Sequence, residues 1–447
     1  MSHHRTPFIL AVAAWACSTQ AAVAQQRPPV RPLGAVLSTS TEALAALSAV
    51  RALPGGRLLV NDPVRRRVLV MDSTMSVVGI AADSTPSTQN AYGPRAGGLI
   101  PYRGDSTLFV DPASLSMLVI DPAGRIARIM AAPRPNDVGF LTGGPLGNPG
   151  FDSRGRLVYR VIERPRGMGM MMGAGGDGAP PKMPEMPDST PLIRYDLATR
   201  TLDTAAFIKV PKTRLNVTQG DHGISVTSTI NPMNVVDDWA VLPDGSIALV
   251  RGRDYHVDYV AVDGTRRTAE KIPFDWQRLT DEMKVSIIDS ARTAMEKTRA
   301  SMAAGGAPAA AAAAGIGGGD GPRMMTVTME AGGGRGAREN VTVGGPPAGT
   351  QLPPLNFVPS SELPDYRPAF ASGSVRADSE GRLWVRTIPV KPLTGGPEYD
   401  VIDRSGKLVD RVMIPKGATI VGFGASDIVY LGVRDASGVR VVRARAR

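Results

Sequence analysis

Apolar positions in this chain come in short bursts rather than long stripes. Residues 51–82 show the unit: a Pro-Gly-Gly turn, Leu58-Leu59-Val60, an Asn-Asp-Pro turn, Val68 to Met71, another turn, and Val77 to Ile80. Bursts of about four to six residues separated by turn chemistry predict antiparallel all-β structure. The unit returns at 104–130, at 151–162 joined with 192–208, at 239–272, at 374–414 and at 420–443. Six copies of a three- or four-stranded meander predict a six-bladed β-propeller, because radial packing leaves small sheets only short, protected edges. The last copy is one strand short. Leu33 to Thr41, ahead of the first complete copy, is expected to supply that strand, so that strands from the N- and C-terminal ends close the ring.

The stretch 56–72, G-R-L-L-V-N-D-P-V-R-R-R-V-L-V-M-D, resembles an NHL-type repeat of the six-bladed propellers. Residues 104–121, 245–263 and 381–386 with 399–403 resemble it more loosely. The motif is made of turn glycines, aspartates and strand valines, so the resemblance implies architecture rather than chemistry. Propellers of this kind serve as ligand binders, interaction platforms, lactonases and lyases.

Three insertions break the repeats of what is otherwise a single propeller domain, 25–447. Residues 167–190 are rich in Met, Gly and Pro and are expected to be a disordered loop. Residues 276–303 have helical character, with Thr280 as N-cap and Asp281 and Glu282 in the first turn. Leu279, Met283, Ile287, Ile288, Ala291 and Met295 form a stripe that can pack on the propeller. Residues 304–349 turn to Gly/Ala low complexity, interrupted by a short strand at Met325–Met329, and are expected to be largely disordered.

The N-terminus changes the compartment. Arg5 and two histidines precede an apolar segment, Phe8 to Cys17, and Ala22-Val23-Ala24 forms an A-x-A cleavage signal before Gln25. That is the three-part pattern of a secretory signal peptide over residues 1–24, and its apolar run is shorter than the roughly 20 residues of a membrane span. A periplasmic or secreted protein without a transmembrane segment is expected. Its one cysteine, Cys17, falls inside the signal, which excludes a disulfide framework and thiol-based metal or redox chemistry. The formal charge of +10 is scattered, and aromatics make up 5% of the chain, so a stacking platform for nucleic acid is not expected. A monomer without a cofactor is the expectation.

Candidate chemistry is sparse. Six methionines (Met168, Met170, Met171, Met172, Met183, Met186) supply soft thioether sulfurs of the kind that suit Cu(I), yet no histidine accompanies them. After processing, His222 and His256 are the remaining imidazole bases. His222 lies in Gly-Asp-His-Gly, and alternation places His256 and Asp258 on one strand face, where a carboxylate orients a general base. A lactonase-like propeller would hold a central Ca²⁺ with oxygens from several blades. Asp62 and Asp111 fit that pattern at the ends of their second strands, but later copies carry Arg160, Arg251 and Arg386 near that place, with Arg434 close by in the last copy. The carboxylate ring is therefore not repeated, and no metal site is expected. Converging arginines would instead make a mouth suited to carboxylate or phosphate. Those three later offsets differ by one residue between copies, and one step reverses a side chain's face.

The function read from these residues is a periplasmic propeller acting as a binding or interaction scaffold for an anionic small molecule or a cell-envelope component, including an envelope protein. The alternative is a propeller hydrolase or lyase using a His–Asp pair. Mass measurement of the exported protein should show a chain beginning at Gln25; retention of a lipid-bearing Cys17 would refute that start.

Overall fold

The computed structural model describes residues 27–85, 92–144, 146–162, 187–212, 214–220, 223–303, 355–391 and 395–447, with backbone alone over 215–220, 223–228 and 301–303. Residues 1–24, expected as a signal peptide, the six clustered methionines, His222, Met325–Met329 and the stretch 304–349 lie outside these residues.

Six antiparallel sheets correspond to the six sequence repeats. Blade I is Ala49–Ala52, Leu58–Asp62, Arg67–Met71 and Val77–Ala82; blade II is Gly98–Pro101, Thr107–Asp111, Ser116–Ile120 and Ile126–Ala131. Blade III is Gly150–Phe151, Leu157–Arg160, Ser189–Tyr195 and Leu202–Lys209; blade IV is Asp238–Val241, Ile247–Arg251, His256–Val260 and Arg266–Thr268. Blade V is Phe370–Ala377, Leu383–Thr387, Glu398–Ile402 and Leu408–Met413. Blade VI is Ala418–Gly424, Ile428–Asp435 and Gly438–Arg445, completed by Val36–Thr39 from the other end of the chain. The first strands of neighbouring blades approach one another around the axis, so the molecule is a six-bladed β-propeller closed by both chain ends. The sequence did not announce one addition: Val30–Pro32 pairs in parallel with Leu408–Met413, as a fifth strand of blade V.

There is no single central core. Alternation along a strand sends odd and even side chains to opposite faces, and both faces of each blade are apolar. Leu59 packs with Phe109 between blades I and II, and Leu108 and Val110 pack with Leu157 and Tyr159 between II and III. Val158 meets Ile247 and Leu249 between III and IV, while Ala248 and Val250 meet Leu383 and Val385 between IV and V. Trp384 meets Val429 and Leu431, and Tyr430 meets Leu58 and Val60 across the closing seam. Each blade thus buries its faces only against its two neighbours.

Turn chemistry fixes the lower face, where first strands turn into second strands and third into fourth. Asp152 Oδ1 accepts the N–H groups of Arg154 (3.0 Å) and Arg156 (2.9 Å), and Arg156 Nε closes back on Asp152 Oδ2 at 2.8 Å. Asp378 repeats the device with Glu380, Arg382 and, in addition, Trp384 Nε1 at 3.0 Å. Each turn passes through a glycine with positive φ (Gly155, 78°; Gly381, 80°), a conformation that costs glycine no Cβ clash. These aspartates are turn caps.

The insertions leave from the opposite, upper face and assemble there. Leu215–Gly220 and Gly223–Ile230, from the III-to-IV link, form a hairpin onto which Asn356–Phe357, from the IV-to-V link, adds in parallel. Helix α1, Asp281–Ala303, begins after Thr280, whose carbonyl accepts Lys284 N–H at 2.9 Å and whose hydroxyl accepts Met283 N–H at 3.3 Å. Residues 276–280, expected as helix, are instead extended in a neck: Leu279 N–H donates to Asp365 O (2.8 Å) and Arg367 N–H to Gln277 O (2.9 Å). Ile288 packs with Val358 and Leu363, against the returning chain of the same insertion. The stripe therefore closes a small cap of inserted residues.

The start of the described chain is tied down by charge. Arg27 reaches Asp275 at 2.6 Å and the fully buried Asp400 at 3.7 Å, while its guanidinium lies over Phe274. Burial raises the pKa of Asp400, and Arg27 and Arg411 oppose that rise.

Substituting a seam residue should reveal the division of the core: Leu249→Ala is expected to cost about 2–5 kcal/mol in urea unfolding. Val78→Ala, on an exposed outer strand, should stay within about 0.5 kcal/mol.

Candidate functional site

The second strand of every blade ends at the upper face, and that is where the sequence-predicted residues fall. Counting from the start of that strand, Asn61, Val110, Arg160, Val250 and Arg386 take the fourth place in blades I to V, and Asp62, Asp111 and Arg251 the fifth. The single step decides their surroundings. Arg160 shares a strand face with Val158, directed at blade IV, and Arg386 shares one with Trp384, directed at blade VI. Arg251 shares its face with Leu249 and is directed at blade III. Arg434 lies at the exposed end of its strand. The four arginines do not meet as one ring; Arg160 and Arg251 face the same III/IV seam from opposite walls.

Asp62 and Asp111 are occupied by the backbone. Asp62 is fully buried and accepts the N–H groups of Ala45, Ala46 and Arg65 at 3.2–3.3 Å, which fastens the closing link to blade I. Asp111 accepts from Ala113 and Ser114 within its own turn. Neither offers a free oxygen to a central ion, and among the described residues no three His, Cys, Asp or Glu side chains gather to hold a metal.

His256 belongs to a charged network on blade IV. Its Nδ1 lies 2.7 Å from Asp254 and its Nε2 3.4 Å from Asp258. Asp258 also accepts Thr268 Oγ1 at 2.6 Å and Arg251 Nε at 2.7 Å, and Arg251 reaches Asp237 at 2.7 Å. Partial burial works against the charge of both Asp258 and Arg251, but the mutual hydrogen bonds win: the carboxyl pKa falls and the guanidinium pKa rises. His256 and Asp258 sit on the third strand of their blade, away from the axis, and Arg251 and Thr268 join them from the second and fourth.

The innermost strands hold what the repeat pattern did not indicate. In blade V, Phe370 pairs with Thr387 and Val375 with Val385, so residues 371–374 bulge from the first strand. The bulge brings Val375 N–H to Asp238 Oδ2 at 2.9 Å, while Trp239 N–H binds Asp238 Oδ1 at 2.9 Å. Asp238, the first residue of blade IV, is 2% exposed. Burial pushes its pKa up to about 6, against backbone hydrogen bonds and the charge of Arg160. Arg160 is 8% exposed, its Nε has no hydrogen-bond partner, and burial lowers its pKa against the attraction of Asp238. Arg376, on the bulged strand, is also within electrostatic reach of Asp238 and has its pKa lowered by burial. By contrast Asn61, at Arg160's place in blade I, is fully satisfied by Ser48, Gly97 and Tyr92. A buried and a half-buried cation thus act on one carboxylate whose oxygens already accept backbone amides. The sequence signal was slight: a doubled Asp237-Asp238 heading an apolar strand.

No protein-family model matches this chain, and no curated protein matches it. Solved structures resemble it over most of its length. A DUF4221 family member from Bacteroides vulgatus is 10% identical over 94% of this chain and 95% of that one, with a TM-score of 0.42. A gluconolactonase from Xanthomonas campestris is 11% identical over 93% and 99%, with a TM-score of 0.34. A calcium-binding protein, regucalcin, from Agrobacterium tumefaciens is 10% identical over 94% and 98%, with a TM-score of 0.37. At such identities the likeness is one of fold.

Asp238 sets a pH signature. Its folded-state pKa of about 6 lies above the unfolded value of about 3.9, so its contribution to stability is full below about pH 4 and lost as pH rises through about 6. Asp238→Asn has no such proton to lose. Its stability relative to the native protein should therefore rise by about 2–3 kcal/mol from about pH 4 to pH 7 in urea unfolding, whatever the offset from the altered hydrogen bonds. A flat difference would reject the buried carboxylate's role.

Proposed function

We propose that this protein is an exported propeller that binds an anionic ligand, a small molecule or a cell-envelope component, at the inner wall between blades III, IV and V. The observation that carries the reading is Arg160: a buried guanidinium with an unpartnered Nε, beside a carboxylate already engaged by backbone amides. Burial outweighs the attraction of Asp238 on this cation, and an anion with two oxygens is a natural complement to its guanidinium. Arg376 adds a second positive charge to the same wall. The secretory pattern of residues 1–24 supports a periplasmic or secreted location, and Arg27 engages the fold just beyond the proposed cleavage site. Among the described residues no helix is long and apolar enough to cross a membrane. The loosely repeated turn-and-strand motif supports an NHL-like ancestry.

The alternative reading, a hydrolase or lyase using a His–Asp pair, draws less support. Both ring nitrogens of His256 face carboxylates, and its strand is third from the axis.

A thermal-shift screen of organic acids and phosphate esters against the native protein and Arg160→Gln tests the proposal. The expected result is a ligand that raises the native Tm and loses about tenfold or more in affinity in the variant. The unliganded variant should lose some stability at neutral pH, because Arg160 also offsets the charge of buried Asp238. A destabilised variant that keeps the full ligand shift would overturn it.

A further inference from the structure

The doubled Asp237-Asp238 divides its charge between two seams. Asp237 accepts Lys209 N–H (2.9 Å), Gly252 N–H (3.1 Å) and Arg251 Nη1 (2.7 Å), so its charge is spent in the network of blade IV. Asp238, one step on, accepts main-chain donors: Trp239 N–H from its own strand and Val375 N–H from the bulge of blade V. Its charge is met from two other elements. Arg160 acts on it from the end of blade III's second strand, and Arg376 from blade V's first strand. Tyr399, on the third strand of blade V, is in turn within electrostatic reach of Arg376. Among the described residues these are the charged and titratable groups of blades III, IV and V that bear on the Asp238 carboxyl.

An ionised Asp238 is therefore the resident anion of the upper wall, and an incoming anion competes with it for the same two cations. With Asp238 protonated, both guanidiniums lose that compensation in a place where burial already works against their charge. A ligand carboxylate or phosphate then supplies the missing negative charge, and the low dielectric of a buried wall makes the exchange strong. The proton is within reach at mildly acid pH, since burial pushes the Asp238 pKa up to about 6. We propose, resting on the reading of the upper wall given above, that its anion binds together with a proton, which Asp238 takes up.

The coupling has a definite sign. A bound anion beside Arg160 raises the Asp238 pKa further, because like charge disfavours ionisation. By linkage, the affinity is highest where the free protein already holds the proton, below about pH 6, and falls as pH rises through that value. A site whose affinity depended on the arginines alone would show no such fall.

Sulfate is the probe, because it keeps both negative charges across this range and brings no titration of its own. The mature full-length protein, Asp238→Asn and Arg160→Gln would be titrated with it at constant ionic strength, at about pH 5.5 and about pH 7.5. Binding would be read by the Tm shift and by calorimetry in two buffers of different ionisation heat. The native protein is expected to bind about fivefold or more tighter at the lower pH, the fall that a pKa rise of about one unit produces. Between the two values it should take up a proton as sulfate binds. Asp238→Asn should bind with little pH dependence and no proton uptake, which separates this proton from any histidine's in the same range. Arg160→Gln should lose about tenfold or more at both pH values.

Proton uptake by the native protein needs no variant, so the coupling is tested even where Asp238→Asn folds poorly. Binding that is lost in Arg160→Gln but shows neither pH dependence nor proton uptake would overturn the coupling and leave the anion wall standing. A pH dependence that persists in Asp238→Asn would overturn it as well. Sulfate binding that survives Arg160→Gln unchanged would count against both. Absence of binding at the lower pH would overturn the coupling, the wall itself then being judged by the screen of organic acids.

Discussion

The structure depends on blade-against-blade packing. A four-stranded sheet with two apolar faces cannot bury either by itself, and here one face of each blade closes on the opposite face of the next. Six such seams have to be present together, so the ring is stable only when closed. Closure falls to Val36–Thr39, which completes blade VI, and it is reinforced by Val30–Pro32 on blade V and by Arg27 in its buried charge cluster. Strands that are far apart in sequence are thereby made neighbours at the cost of a single ring closure.

That arrangement also sorts polar residues into two kinds. Aspartates at lower turns accept their own backbone amides and fix the hairpins, as at Asp152 and Asp378. Side chains at the upper ends of second strands sit where the seams open toward the channel and the cap. There Asp62 and Asn61 are satisfied by nearby groups, while Arg160 retains an unpartnered Nε. Six other arginines among the described residues share such an Nε; what sets Arg160 apart is its low exposure at the inner wall beside a carboxylate already engaged by backbone amides.

The insertions obey the same logic of burial. They cover one another, through Asn356–Phe357 beside the hairpin and Ile288 against Val358 and Leu363. Two insertions separated by an entire blade in sequence thus become one cap on the upper face.

The alternation of apolar bursts and turn residues was enough to determine six blades and their closure by both ends, because strand period and turn chemistry are local properties. Helix α1 was legible for the same reason, apart from its first residues, which the neck's pairing with 365–367 holds extended. The site was not legible in that way. Arg160 and Arg251 look equivalent in sequence, yet one step along a strand sends one into a buried wall and the other into ion pairs with Asp237 and Asp258. His256 and Asp258 share one face, as alternation requires, but only the ring shows that their strand is third from the axis and that this face looks onto blade III. Asp238 and Arg376 acquire meaning from a bulge in another blade, which no local pattern encodes. Periodicity fixes what each strand is; charge is decided by which strands meet, and only the closed ring settles that.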